Sequence, residues 1–128
     1  MDVVLKRIYE PASPDDGFRV LVDRLWPRGI AKADARLDAW AKDAAPSPGL
    51  RRAWHADPEG RSDAHFASFS ADYRAELEQA PASEALDELV ALARAHQRLT
   101  LLYGAKDPER NHAGVLREAL LARLHRAG

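Results

Sequence analysis

The sequence contains no cysteine. That absence removes thiolate nucleophiles, CxxC redox pairs and cysteine-ligated zinc together. No apolar run approaches the length that spans a bilayer, so no membrane-crossing segment and no membrane partner are expected. The opening residues, Met1-Asp2-Val3-Val4-Leu5-Lys6-Arg7, lack the apolar core of a signal peptide, which makes the cytoplasm the expected location. Neither sign of charge dominates: 19 Lys+Arg against 20 Asp+Glu leave a formal net charge of −1. Coating of duplex nucleic acid by global positive charge is therefore disfavoured, and nucleic acid is the least supported partner class, although a local basic patch stays open. There is no GxGxxG, HExxH or GxSxG, and Gly104-Ala105-Lys106 lacks the glycine spacing of a P-loop. The five histidines are scattered without metal-ligand spacing, so neither a metal nor another cofactor is expected.

What is present suits one soluble domain over residues 1–128, long enough to bury a modest core unaided. Val3-Val4-Leu5 and the alternation that follows to Tyr9 read as a strand. "EPASPDDG" is a loop, since its prolines, aspartates and glycine propagate neither element. Phe18 to Asp23 reads as a second strand, whose unbroken Val20-Leu21-Val22 predicts burial on both faces. Leu37, Trp40, Ala41 and Ala44 recur at helical spacing and predict a helix there. Ser47-Pro48 opens another short helix. Residues 57–63, "DPEGRSD", read as a flexible surface loop. Phe66, Phe69, Tyr73 and Leu77 make a helical stripe ended by Pro81, and Ser83 is placed to cap the next helix, with Leu86, Leu89, Val90 and Ala93 on its face. "RLTLLYG" is a third, buried strand, and Leu116, Leu120 and Leu124 mark the last helix. The fold expected is α/β: a small, mostly parallel sheet covered by helices in a layered, Rossmann-like sandwich. The loop between the first two strands is short for a parallel crossover, so strand order stays open.

Two strand ends carry chemistry. One is Asp23-Arg24-Leu25-Trp26-Pro27-Arg28-Gly29, and the other runs from Tyr103 through Lys106 to Asn111-His112. In open α/β sheets ligands bind beyond the carboxyl ends of the strands, so the two segments are expected to share a pocket. Arg24, Arg28 and Lys106 suit an anion, because guanidinium and ammonium donors match phosphate or carboxylate oxygens. Trp26 and Tyr103 offer faces for a ring, and Asp23 is expected to hold an arginine. His112 has the chemistry of a general acid or base, and Asn111 can orient a substrate. A structural reading competes at each position. Asp23 then serves only an ion pair, Trp26 joins Trp40 and Trp54 in the core, Pro27 and Gly29 only shape a turn, and His55 is a satisfied or surface residue. Asp107-Pro108 also reads as a helix start, which puts Asn111 and His112 inside the first turns.

The stretches "LKRIYEPASPDDGFRVLVDRLWPRGIAKADARLDAWAKDAAPSPGLRRAWHADPEG", "FSADYRAEL" and "LTLLYGAKDPERNHAGVLREAL" resemble the YeaO-like family, the bacterial "domain of unknown function 488" proteins. They cover nearly the whole chain. The resemblance implies an α/β fold and a site but supplies no reaction. The wider superfamily has an Asp-Val-Arg-x-x-Pro element similar to residues 23–28, and a Cys-His-Arg element after a buried strand. By that resemblance Asn111 and His112 stand in its first two positions and Ala113 in the third, so a cysteine nucleophile is not available to this chain. A methyltransferase label carried by some members finds no cofactor-binding glycine motif here. "GRSDAH", around residue 60, departs from the shorter family pattern as a loop.

Two functional readings follow. The first is a ligand-binding domain for a small anionic ligand, phosphate-bearing or nucleotide-like, with acid/base catalysis left open. The second is a non-catalytic interaction module built on a tryptophan–arginine hot spot in residues 23–29. The sequence leaves the ligand, any turnover and the oligomeric state open.

Overall fold

The computed structural model describes residues 2–56 and 62–126. Most of the stretch expected to be a surface loop, residues 57–61, lies outside them. Four strands, β1 (Asp2–Arg7), β2 (Phe18–Leu21), β3 (Ala39–Trp40) and β4 (Arg98–Tyr103), form one parallel sheet in the order β1-β4-β2-β3. The helices are α1 (Lys32–Ala35), α2 (Pro48–Ala56), α3 (Asp63–Glu76), α4 (Ala82–Ala95) and α5 (His112–Arg126). Among the described residues no helix is long and apolar enough to cross a membrane.

The unbroken apolar strands are explained by burial on both faces. Val20 and Val22 of the β2 segment, with Leu99 and Leu101 of β4, join a core built with Phe69, Tyr73, Leu86, Leu89, Leu116 and Leu120 from α3, α4 and α5. Leu21 and Leu102, each next to one of these residues, face the other way into a smaller cluster with Ile8, Ala35, Trp26 and Trp40. Leu101 of β4 is in register with both Leu5 of β1 and Val20 of β2, so β4 lies between those two strands.

The short loop after β1 does make a parallel connection. Residues 8–17 run from the carboxyl end of β1 to the amino end of β2, bypassing β4 without a long helix. An extended chain advances about 3.3 Å per residue, so this segment reaches along a short strand. Its last turn, Pro14–Asp16, is capped by Ser13 and ends at Gly17, whose φ of 65° suits glycine. A Cβ on Gly17 would sit 2.4 Å from the Arg98 carbonyl oxygen, so the turn approaches β4 too closely for any other residue.

A charge network holds this turn against the sheet. The Asp16 carboxylate accepts from Lys6 Nζ at 3.0 and 3.1 Å, from Arg19 at 2.5 Å and from the Ser13 N–H at 3.0 Å. Thr100 Oγ1 donates to the Asp16 carbonyl at 2.5 Å, and the remaining Arg19 donors reach the Ala35 and Arg36 carbonyls. Asp16, Arg19 and Thr100 are all buried. Desolvation pushes the Asp16 carboxyl upward, but the hydrogen bonds from Ser13, Lys6 and Arg19 outweigh it and hold it below its ordinary value.

Two local expectations are overturned. The stripe Leu37, Trp40, Ala41, Ala44 does not form a helix; the chain makes β3 and then a single 3₁₀ turn, Lys42–Ala44. Arg36 takes a left-handed φ of 49° and stops α1. Asp38 then pins the chain to β2, its N–H donating to the Arg19 carbonyl at 2.8 Å and its carboxylate accepting the Arg19 N–H at 2.9 Å. Sheet pairing and the Trp40 Nε1 bond to the Asp23 carbonyl, at 2.7 Å, prevail over a local period. Ser83 does not cap α4 either. The helix starts two residues earlier, with Pro81 at the cap, and the Ser83 N–H donates to the Gln79 carbonyl.

Asp16→Asn keeps the shape but leaves the buried Arg19 and the partly buried Lys6 without their counter-ion. It should cost about 3–5 kcal/mol in urea or thermal unfolding, the range for breaking a buried pair. The folded carboxyl titrates below the unfolded one. Its contribution is therefore complete above the ordinary value of 3.8 and is lost as pH falls through the lower folded value. The stability gap between wild type and variant should close in that acid window, and a gap independent of pH would contradict the assignment.

Candidate functional site

β2 and β4 are neighbours, and their carboxyl ends converge as the sequence suggested. Oδ2 of Asp23 accepts the Gly104 N–H at 2.8 Å. His112 Nε2 lies 2.9 Å from the Val22 carbonyl oxygen and 3.2 Å from Asp23 Oδ1. Gly104 allows this closure, since a Cβ there would stand 3.0 Å from Asp23 Oδ2. The contact runs through Asp23 and His112, and the expectation that Asp23 holds an arginine is wrong. Its partners are a backbone N–H and an imidazole, because the β4 turn reaches it first.

Above this clasp opens a cleft of about 540 Å³. Its walls include Tyr9, Asp23, Arg24, Trp26, Arg28, Lys106, Asn111 and His112, and also Arg51, Trp54, His55, Phe69 and Arg110. A second cleft, of about 600 Å³, lies at the amino ends of the strands between Asp2, Phe18, Asp38 and His96, and is more open. Its one arginine, Arg98, is tied to Asp2 and to the Asp15 carbonyl. The carboxyl-end cleft is the stronger candidate, being more enclosed and lying where parallel sheets place ligands.

The residues singled out from sequence divide by what their side chains already do. The Arg24 guanidinium donates to the Ala45 and Pro46 carbonyls and lies 3.8 Å from Asp43. Trp26 donates Nε1 to the Ile30 carbonyl at 2.7 Å and packs edge-on against Trp40. Gly29, at φ 82°, turns the chain back so that this carbonyl arrives. Tyr103 is buried in the main core and is not part of the cleft wall; burial pushes its phenol up, with Glu10 adding to the shift. Asn111 is 2 % exposed, and its amide is occupied at both ends: Nδ2 donates to the Asp107 carbonyl and Oδ1 accepts the Gly114 N–H.

That last bond makes Asn111 the cap of α5. The expected helix start at Asp107-Pro108 lies too early. Asp107 Oδ1 instead collects the Glu109 and Arg110 N–H groups in a separate turn, and the helix opens at His112. Arg28 and Lys106 are exposed on the cleft, and among the described residues neither side chain has an acidic partner. Arg51 of α2 adds a third such cation, and Arg110 lines the wall while paired to Asp63. Arg51 was not foreseen. It is exposed one helical turn before Trp54, and only the placement of α2 brings it to the strand ends. Arg7 was also missed: from the end of β1 it donates to the Gly104 and Ala105 carbonyls and steadies the loop that carries Lys106.

Substitutions should separate these roles. Asn111→Ala removes a buried cap and should lower stability by about 1–2 kcal/mol. Arg28→Ala and Lys106→Ala, on exposed side chains, should each stay within about 0.5 kcal/mol of wild type. Chemical denaturation of the three variants checks both. A neutral Asn111→Ala would remove the cap assignment.

Comparison with known proteins gives a family and no described activity. The chain is 45% identical over 120 residues to "Uncharacterized protein YeaO" of Escherichia coli K12, covering 94% of this chain and 97% of that protein. It is 42% identical over 121 residues to "Uncharacterized protein Rv3073c" of Mycobacterium tuberculosis H37Rv, covering 94% and 95%. No solved structure matches. The model of the family described as "Inactive DUF488-N3 subclade" matches residues 2–128, and this chain belongs to that family.

Proposed function

We propose that this protein is a non-catalytic binding domain for a small anionic ligand, phosphate-bearing or nucleotide-like, held in the carboxyl-end cleft. The observation that carries the reading is the imbalance of charge there. Arg28, Arg51 and Lys106 line the cleft without an acidic partner among the described residues, beside Arg24 and Arg110, which have Asp43 and Asp63, and the one carboxylate in the wall is Asp23, in a chain whose net charge is −1. Asp23 is itself occupied by the Gly104 N–H and faces His112. The α5 amino terminus adds the positive end of a helix dipole to the same wall. Trp54 and Phe69 give the cleft an apolar side fit for a sugar or base.

Binding without turnover is favoured by the state of the expected catalytic pair. Asn111 is buried, and both ends of its amide are engaged in the turn that opens α5. The chain has no cysteine, and the family description calls its subclade inactive. The interaction-module reading loses its anchor, because Trp26 is half-buried against Trp40 with its N–H engaged.

A thermal-shift panel of sulfate, pyrophosphate and nucleoside mono- and diphosphates tests this. A true ligand at a hundred times its Kd should add about 2.7 kcal/mol of stability. The Arg28→Ala/Lys106→Ala double variant should melt like wild type when empty and lose about tenfold or more in affinity, as expected from charge-assisted hydrogen bonds. A panel with no stabilising anion, or a double variant that binds as wild type does, would remove the cleft as an anion site.

A further inference from the structure

His112 meets the protein through one ring nitrogen. Nε2 points at the Val22 carbonyl oxygen, which accepts and never donates. The neutral ring must therefore carry its hydrogen on Nε2 and its lone pair on Nδ1. Among the described residues Nδ1 has no hydrogen-bond partner, and the ring lines the cleft. Behind the ring, Asp23 Oδ1 is buried and without a hydrogen bond, 3.2 Å from Nε2 but off the line of its N–H.

The two protonation states therefore present opposite faces to a ligand. Neutral His112 offers an anion a lone pair. Protonated His112 offers an N–H and a full charge, with Asp23 as its counter-ion behind. Other groups surround the ring: Tyr73 of α3 packs edge-on against it with Glu76 nearby, Arg24 follows β2, Arg51 and His55 come from α2, and Lys106 and Arg110 from the loop before α5. In the empty cleft the cations oppose a further positive charge. A bound anion offsets them, so anion and proton assist each other.

We propose that His112 takes up a proton when an anion enters the cleft, which makes the affinity of the site a function of pH across the histidine range. The proposal rests on the anion-binding reading above. Affinity rises as pH falls, because the bound state holds more protons than the empty one.

Sulfate is the probe, since its own charge is constant through that range. Calorimetric titration in two buffers of different ionisation enthalpy counts the protons taken up. The expected result is uptake of up to one proton per sulfate, with Kd weakening by up to about tenfold per pH unit above neutrality. His112→Gln should abolish the uptake and flatten the pH dependence while keeping weak binding. His55→Gln should keep the slope whatever it does to affinity. Should His112→Gln fold poorly, the ring resonances of wild-type His112 decide: sulfate must move their titration midpoint upward. Binding without proton uptake, an unmoved midpoint or a full slope in His112→Gln overturns the linkage and leaves the anion site standing. Absence of sulfate binding at every pH overturns both.

Discussion

The structure depends on a carboxylate buried where the sheet has least cover. One face of the sheet is covered by three long helices and closes by apolar packing. On the other face, the chain available is a loop, a four-residue helix and the segment around Trp26. Asp16 organises that face by collecting Lys6 from β1 and Arg19 from β2, while its carbonyl takes Thr100 from β4. Three strands are thus tied through one turn, and Arg19 carries the connection on to the end of α1. Each charge in the group is met by an opposite charge or a carbonyl, the condition under which buried ions are tolerated.

The strand ends are joined by a different device on the same principle. Asp23 leaves β2 with its carboxylate aimed at the β4 turn, and Gly104 offers an N–H there with no side chain in the way. The chain then runs through the Asp107 turn to Asn111, which starts α5 so that His112 returns to the end of β2. The cleft is the space left above this closed loop. The acid, the amide and one nitrogen of the imidazole support the walls, and Arg28, Arg51 and Lys106 stay exposed on the cleft. Side chains engaged by the protein and exposed cations thus share the same short segments.

Much of this was legible in the chain. The runs Val20-Leu21-Val22 and Leu99-Thr100-Leu101-Leu102-Tyr103 marked strands buried on both faces, and helical periods marked α3, α4 and α5. That charged strand ends should meet followed from parallel-sheet geometry. Residues 37–44 misled because their helical spacing is real, while their backbone partners lie in β2, some twenty positions away. Arg24 and Arg28 look alike in sequence. They differ because the Ala45 and Pro46 carbonyls come within reach of Arg24, whereas Arg28 is exposed on the cleft wall.

Composition and pattern by themselves determined the α/β class, the apolar strands and the absence of thiol chemistry, since these depend on residue type and near-neighbour spacing. The strand order, the parallel crossover through ten residues and the division of charged groups into supports and free cations were decided by tertiary structure. A charged side chain acquires its role from whatever lies within about 3 Å of it, and for Asp16, Asp23 and His112 those partners lie three, ten, eighty-one and ninety positions along the chain.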